Sequence, residues 1–302
     1  MNILSERTGS GNLIRASGIR YNHKGSTAMV HARKEVILAV SGIGDARLLG
    51  DRGIDFILDL PAVGENLQDH AVGSICFEAT DAVDTLDALI RQETDVVAQA
   101  IDLAYFEIIE KALLDPNEPT AAYLVVSAQM PQSAGWLDGS SRGPLPGKFL
   151  AIGAMLSHTL SRGTAHIQSN DYSTPPVIDP KYLSNPIGME VLAQHMLEIE
   201  KIARAPSFSK LLKQPLSHGD PASRSTNTEE AKQYLRGKTI SMWHLGSTCV
   251  MLPKTKGGVI GANLKFAFPT ISTAYFQATV YAFAERASQI IKAGWVGWSL
   301  RN

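Results

Sequence analysis

The chain has 302 residues, of which 44% are hydrophobic and 19% are charged. This composition is typical of a folded protein of one or two domains and excludes an intrinsically disordered chain. Its 28 Lys and Arg residues nearly balance its 29 Asp and Glu residues, and the net charge of -1 gives no electrostatic reason to expect nucleic acid or an anionic membrane as a partner.

The first part of the chain is predicted to consist of strands and turns. A strand around Ile19, a turn at 24–26 and a second strand over 29–38 indicate a β-hairpin whose second strand becomes a buried apolar run. Leu48 indicates a short helix, and a further strand is predicted over 54–60, where Pro61 ends it.

The middle of the chain alternates between one long helix and short strands. Apolar residues at helical spacing predict a core-facing helix over 84–114, and a Gly-, Pro- and Ser-rich loop is expected at 131–147. The predicted strands lie at 121–129, 150–157, 164–169 and 177–179.

Three helices are predicted towards the end of the chain. An amphipathic helix covers 189–203, and a second helix begins at Thr226 or Thr228, with acidic residues in its first turn where the helix dipole favours them. The last helix is predicted over 277–292, with small residues suited to close packing and Gly294 after its end.

A glycine pattern near residue 42 imitates a dinucleotide-binding motif. Gly42 and Gly44 follow a predicted strand and precede a short helix, and Asp59 lies further along. The third glycine position is Arg47, whereas close packing of the helix on the strand needs a small residue there. We therefore expect a tight turn rather than a pyrophosphate-binding loop.

The two cysteines and the apolar runs argue against several further classes of protein. Cys76 and Cys249 are far apart and stand in no C-x-x-C pair, which argues against a zinc site or a disulfide framework. No apolar run is long enough to span a bilayer, and the polar first ten residues lack the apolar segment of a signal peptide.

Several stretches along the chain are recognisable as motifs of one family. They are LPAVGENLQDH at 60–70, SRGT at 161–164, PVIDPKYL at 176–183, WH at 243–244 followed by TC at 248–249, and QATVYA at 277–282. Together, and in this order, they resemble the glucose–methanol–choline (GMC) oxidoreductases, in particular their fungal members. The resemblance extends from about residue 18 to residue 292.

The resemblance implies an α+β fold. A substrate-binding domain with an antiparallel sheet and flanking helices is expected over 76–255, with the family's C-terminal region beginning near residue 150. Remnants of the FAD-binding domain are expected over 1–75 and over 256–302, which includes the final helix. The family's Rossmann motif has no counterpart before residue 18, so the chain is expected to be N-terminally truncated, without the Rossmann core and with either a cavity or an exposed apolar surface.

The resemblance also implies roles for individual residues. His244 matches the histidine that takes the hydroxyl proton of an alcohol while hydride passes to FAD, and imidazole suits proton transfer near neutral pH. The alternative is a core histidine bonded to the backbone. Tyr275 stands where relatives carry a second His or Asn; it is expected either to donate a hydrogen bond to the substrate or simply to pack as an aromatic side chain.

Two further groups are implied to lie near the cofactor. Asn66, Asp69 and His70 belong to a loop expected against the flavin-binding region, although Asn66 and Asp69 are equally suited to turns. Gln277 and Ala278 open the final helix, whose backbone N–H groups would face the flavin.

Three functions remain open at this stage. The first is FAD-dependent oxidation of a CH–OH group in a small alcohol or secondary-metabolite intermediate, with no nucleic acid or membrane as partner. The second is a non-redox ring closure or dehydration that uses Tyr275. The third is an inactive fragment. The sequence does not define the substrate, the electron acceptor or the oligomeric state.

Overall fold

The computed structural model of the chain begins with an antiparallel sheet of three consecutive strands. It describes residues 2–8, 13–23, 26–31, 43–82, 118–130, 145–171, 173–250, 258–259, 271–272 and 277–299. The strands β1 (Asn2–Thr8), β2 (Leu13–His23) and β3 (Ser26–His31) pair in chain order. The predicted hairpin is confirmed by the pairing of β2 with β3. Met29 and Val30 on β3 are exposed apolar side chains.

Gly42 lies outside the described residues, and the chain from residue 43 to residue 59 folds as a small parallel unit. Strands β4 (Ile43–Gly44) and β5 (Leu58–Asp59) are parallel and flank helix α1 (Ala46–Gly50). Asp45 Oδ1 accepts the N–H of Leu48 at 2.8 Å, and Asp59 Oδ1 accepts the N–H of Ala46 at 3.0 Å. Two carboxylates therefore occupy N–H groups at the start of α1 that a pyrophosphate would need, and the tight turn at Gly42 stays a prediction.

A four-stranded antiparallel sheet forms the centre of the described structure. Its strands are β7 (Ala71–Glu78), β8 (Ala121–Val126), β9 (Phe149–Leu156) and β12 (Ile240–Ser241), in the order β12-β7-β9-β8. The sequence predicts β8 and β9 correctly, within a few residues at their ends. β9 is buried along its whole length because both of its edges are paired and apolar clusters lie on both faces.

Two helices cover one face of this sheet. Helices α2 (Pro186–Arg204) and α4 (Thr228–Lys238) bury Leu192, Met196 and Leu235 against β7 and β9. A Cβ atom at Gly73 would lie 2.6 Å from a methyl carbon of Leu235 and 2.7 Å from Met196 Sδ. The helices approach the sheet this closely because β7 has no side chain there, which confirms the predicted α+β arrangement.

A second sheet joins the loop before β7 to the chain after β9. Strands β10 (Gly163–His166) and β11 (Val177–Asp179) pair with β6 (Glu65–Leu67), in the order β11-β10-β6. The sequence predicts strands on both sides of the turn near residue 162. The structure places β9 and β10 in different sheets, so this turn carries the chain between sheets rather than closing a hairpin.

The helix ends differ from the prediction at two places. Asn227, rather than Thr226 or Thr228, caps α4, and its Oδ1 accepts the N–H of Glu230 at 3.0 Å. Helix α5 (Gln277–Ser299) continues through Gly294, because a single glycine costs a helix only about 1 kcal/mol. Several of its small residues are exposed, as is Tyr281 at 65%, so the described residues do not show the close packing that was expected.

Some predicted features lie outside the described residues. These are the apolar run at 36–40, the long helix at 84–114, most of the loop at 131–147, and Tyr275. The short helix α3 (Pro206–Ser209) follows α2 directly. None of the helices in the described part of the chain combines the length and apolar character needed to cross a membrane. The proposed domain boundaries remain predictions.

Candidate active site

The site forms where an irregular pair of segments continues the central sheet. Ile240 and Ser241 pair regularly with β7, and the N–H of Met242 donates to the carbonyl of His70 at 3.0 Å. The next backbone pair joins Gln68 to Gly246, with N–H groups donating in both directions at 2.9 and 3.0 Å. One residue separates His70 from Gln68, whereas three residues separate Met242 from Gly246. The second segment therefore forms a bulge with two extra residues, and His244 lies at its centre.

The backbone of this bulge adopts a conformation that few side chains favour. Trp243 has φ of 59° and Ser247 has φ of 72°, both in the left-handed region, where a bulky side chain costs on the order of 1 kcal/mol or more. The N–H of Trp243 donates to Ser241 Oγ at 2.7 Å, and the N–H of His244 donates to Asp69 Oδ1 at 2.9 Å. These two bonds hold the backbone of the bulge in place.

Asp69 is the buried anchor of the site. Its Oδ2 accepts the hydroxyl of Tyr182 at 2.6 Å, and the residue is only 2% exposed. Burial raises the pKa of Asp69 to about 6, because removal from water outweighs the hydrogen bonds from Ser241, Tyr182 and His244. Burial and the neighbouring Asp69 also raise the pKa of Tyr182. At neutral pH the tyrosine is therefore the donor and the carboxylate the acceptor.

The imidazole rings of His70 and His244 meet directly. Their Nδ1 atoms are 2.8 Å apart, and the rings are nearly perpendicular, with an interplanar angle of 86°. His70 is fully buried, and burial together with the nearby His244 lowers the pKa of His70 to about 4. Burial also lowers the pKa of the partly exposed His244. Both rings are therefore neutral at pH 7, the state in which an imidazole can accept a proton.

A further layer of polar groups surrounds this pair. His158 lies 3.2 Å from Glu118 through its Nε2 atom, and burial lowers the pKa of His158 even though Glu118 opposes the shift. Gln68 Oε1 accepts the N–H of Ile271 at 3.1 Å, which fixes the backbone of Ile271 against the site. Within the described residues, no group of His, Cys, Asp and Glu side chains has the arrangement needed to hold a metal ion.

The structure brings three of the residues singled out from the sequence into one cluster. Asp69, His70 and His244 are in mutual contact. Asn66 adopts a left-handed turn conformation, with φ of 58°, at the middle of β6. Gln277 and Ala278 are exposed at the start of α5. Contact of any of these residues with a cofactor remains a prediction, and Tyr275 lies outside the described residues.

Sequence reasoning assigned no role to three residues of the cluster. Gln68 and Tyr182 both lie inside motifs that the sequence displays, but neither motif shows that 113 positions separate Tyr182 from its partner Asp69. Ser241, which binds the N–H of Trp243, has no comparable signal. A serine two residues before a tryptophan indicates nothing until the bulge is known.

Comparisons with known proteins show which proteins this chain is similar to. Residues 159–284 match the family model described as GMC oxidoreductase. The GMC oxidoreductase family protein Mala s 12 of Malassezia sympodialis is 27% identical over 331 residues, which cover 93% of this chain and 53% of that protein. Choline oxidase of Arthrobacter globiformis is 27% identical over 233 residues, which cover 73% of this chain and 39% of that protein.

A solved structure shares the fold. An FAD-dependent oxidoreductase from Chaetomium thermophilum superposes with a TM-score of 0.62 at 23% identity, over 93% of this chain and 59% of that chain. The described fold is thus one found in flavin-dependent oxidoreductases. Over residues 159–284, and over most of its length at 27% identity, the chain is similar to the GMC oxidoreductases. It spans about half the length of the curated relatives it matches.

Proposed function

We propose that this chain forms the substrate side of an FAD-dependent oxidoreductase that converts a CH–OH group of a small alcohol into a carbonyl. The observation that carries the proposal is the neutral, partly exposed imidazole of His244, held at the centre of a bulge by the carboxylate of Asp69. Choline oxidase, a relative at 27% identity, bears the name of an alcohol as its substrate, which supports this reaction class.

FAD is the cofactor that the family implies, and, when bound, it supplies the acceptor for the hydride that leaves the carbinol carbon. The residues present fit the reacting end of this group. His244 presents a partly exposed ring, and Gln277 and Ala278 are exposed at the N-terminus of α5, where backbone N–H groups favour the electron-rich edge of a flavin ring. Asp69 and His70 are buried, so they act on the cofactor region through His244.

The chemical role of the protein's own residues follows from their protonation states. His244 is neutral at pH 7 because burial lowers its pKa, and it can therefore take the proton of the substrate hydroxyl. Asp69 binds the main chain of His244 rather than its ring, so it fixes the position of the base without raising its basicity. Tyr182 ties Asp69 to the chain after β11, and this contact prevents the carboxylate from turning away.

The proposal is tested by replacing the base. His244→Ala should lower kcat for alcohol oxidation by about 10²- to 10⁴-fold, the usual contribution of a general base, with flavin content unchanged. His195→Gln is the matched control, because His195 bridges α2 and β8 through Thr120 and Tyr123 outside the cluster. Oxidation is followed by mass spectrometry of the product and by flavin absorbance.

Two outcomes would contradict the proposal. A product of unchanged oxidation state would indicate the non-redox ring closure or dehydration instead. A purified, folded chain that takes up no FAD, alone or with added cofactor, would rule out flavin-dependent oxidation by this chain and leave only its similarity to the GMC oxidoreductases.

A further inference from the structure

The contact between His70 and His244 restricts where each ring can carry its proton. Two Nδ1 atoms at 2.8 Å form a hydrogen bond only if one is an N–H donor and the other offers a lone pair. Both rings are neutral at pH 7, so each carries one proton. The pair therefore has two arrangements, which differ in which histidine donates.

Only one arrangement leaves His244 able to act as a base at its other nitrogen. If His244 donates from Nδ1, its Nε2 atom bears the lone pair, and His70 carries its proton on Nε2. If His70 donates instead, the proton of His244 lies on Nε2, and that atom cannot accept another. The hydrogen bond at Nδ1 thus decides the chemistry available at Nε2.

The surroundings of His70 favour the first arrangement. The ring is fully buried, with its Nδ1 turned towards His244. The backbone of Ser272 and of Ser157 raises the pKa of His70, which is the effect of hydrogen-bond acceptors around a ring N–H. Nε2 is enclosed and has no hydrogen bond of good geometry within the described residues. Because Nδ1 faces His244, Nε2 is the ring atom at which these acceptors can favour an N–H group.

The main chain keeps His70 in this position. Its carbonyl accepts the N–H of Met242 at 3.0 Å, and Gln68 pairs with Gly246 on the other side of the bulge. Both pairs connect the segment of His70 to the segment of His244. The main chain therefore holds the two rings against each other.

We propose that His70 is a positioning residue that holds His244 in the tautomer with Nδ1 protonated and Nε2 able to accept a proton. The use of Nε2 as the base towards an alcohol rests on the proposed function, but the tautomer itself does not. His70 touches neither substrate nor cofactor in this scheme. It acts only through the hydrogen bond to His244.

The test reads the tautomer directly by ¹⁵N-histidine NMR of the full chain at pH 7.5, with the His244 signals assigned from His244→Gln. Wild type should show protonated Nδ1 and unprotonated Nε2 at His244. His70→Leu should yield a mixture of tautomers, because Nδ1 loses its acceptor. His70→Asn should restore the wild-type tautomer, since an amide oxygen can take the place of the Nδ1 lone pair.

Turnover gives a second reading. His70→Leu should reduce kcat by about tenfold or more with KM within about twofold, and His70→Asn should recover most of that loss. A wild-type His244 protonated on Nε2 would overturn the inference, as would a His70→Leu tautomer identical to that of wild type. The wild-type spectrum decides even if His70→Leu does not fold. A tautomer that follows His70 in a chain without alcohol oxidation would support the inference and contradict the proposed function.

Discussion

At the scale of single residues, the site depends on two buried ionisable groups whose pKa values move in opposite senses. The pKa of Asp69 rises from 3.8 to about 6, so its contribution to stability is greatest below pH 3.8 and is lost as the pH rises through 6. The pKa of His70 falls from 6.5 to about 4, so its contribution is present above pH 6.5 and is lost as the pH falls towards 4. Each shift corresponds to about 3 kcal/mol, and the two largely cancel between these limits.

Removing one of these groups should make the pH dependence of the other visible in the free energy of unfolding. His70→Leu eliminates the contribution that wild type loses on acidification. The difference in free energy of unfolding between wild type and His70→Leu should therefore change by about 2 kcal/mol in favour of the variant between pH 7 and pH 5. Urea titrations at the two pH values measure this change. Between pH 7 and pH 8 the difference should stay constant, and a constant difference down to pH 5 would contradict the shifted pKa of His70.

The sequence identifies the residues of the site but not the orientations of their side chains. His244, Asp69 and His70 are recognisable from the motifs around them. The inward orientation of Asp69 and His70 depends on burial by Tyr182 and on the two extra residues of the bulge. Both features depend on contacts between positions more than 100 residues apart, and no local pattern contains that information.

At the scale of elements, two glycines illustrate how differently the same residue can act. Gly64 has φ of 87°, and a Cβ atom there would lie 2.4 Å from the carbonyl oxygen of Ala165. Its N–H donates to Thr248 and its carbonyl accepts the N–H of Ala165, so it joins the second sheet to the end of the bulge. Gly237 lies in α4 with no atom near the place of a Cβ.

Alanine at these two positions should have opposite effects. Gly64→Ala should destabilise the protein by about 2 kcal/mol or more, because the backbone conformation and the nearby carbonyl both oppose a side chain. Gly237→Ala should stabilise it by about 0.5–1 kcal/mol, since alanine is the better helix former. Thermal unfolding followed by circular dichroism measures both variants. Equal changes in stability from the two substitutions would contradict this prediction. They would show that neither the backbone conformation of Gly64 nor the nearby carbonyl opposes a side chain there.

The cap of α4 gives an independent test at the same scale. Asn227→Ala should cost about 1 kcal/mol, because the N–H of Glu230 loses its acceptor. Thr228→Ala is the control, since Thr228 lies inside the helix and should change stability by less than about 0.5 kcal/mol. A larger loss of stability at Thr228 than at Asn227 would contradict the observed cap. It would favour Thr228, one of the two caps predicted from the sequence. The sequence missed Asn227 because three neighbouring residues, at 226–228, all suit a cap.

At the scale of the whole molecule, the sequence predicts the central architecture well. Strand periodicity and helix amphipathicity suffice to place β8, β9, α2 and α4, because each element buries one continuous apolar face. The order of strands within the sheets is not readable in this way. β7 and β9 are neighbours although about 70 positions separate them, and β9 and β10 are not neighbours although they follow each other in the chain.

The exposed apolar surfaces of β3 and α5 lead to a prediction about the cofactor. Under the proposed function, FAD binds the folded chain and not the unfolded one, so it should stabilise the fold by mass action. At a concentration 100 times its Kd, FAD should raise the free energy of unfolding by about 2.7 kcal/mol. Differential scanning fluorimetry with FAD measures this effect, with riboflavin as the control for binding of the ring alone. A melting temperature that does not change with FAD concentration would contradict cofactor binding by this chain.

The irregular register around His244 also means that the bulge could be removed without disturbing the strands that flank it. Deleting Trp243 and His244 would leave one residue between the two backbone pairs on each side, and the antiparallel ladder from Ile240 to Gly246 would then run without interruption. Losing these two residues would therefore remove the proposed base and restore regular strand pairing in a single step. One short in-frame deletion would thus leave a regular sheet without the proposed base, and the reverse insertion of two residues would give a plain sheet a bulge with a histidine at its centre.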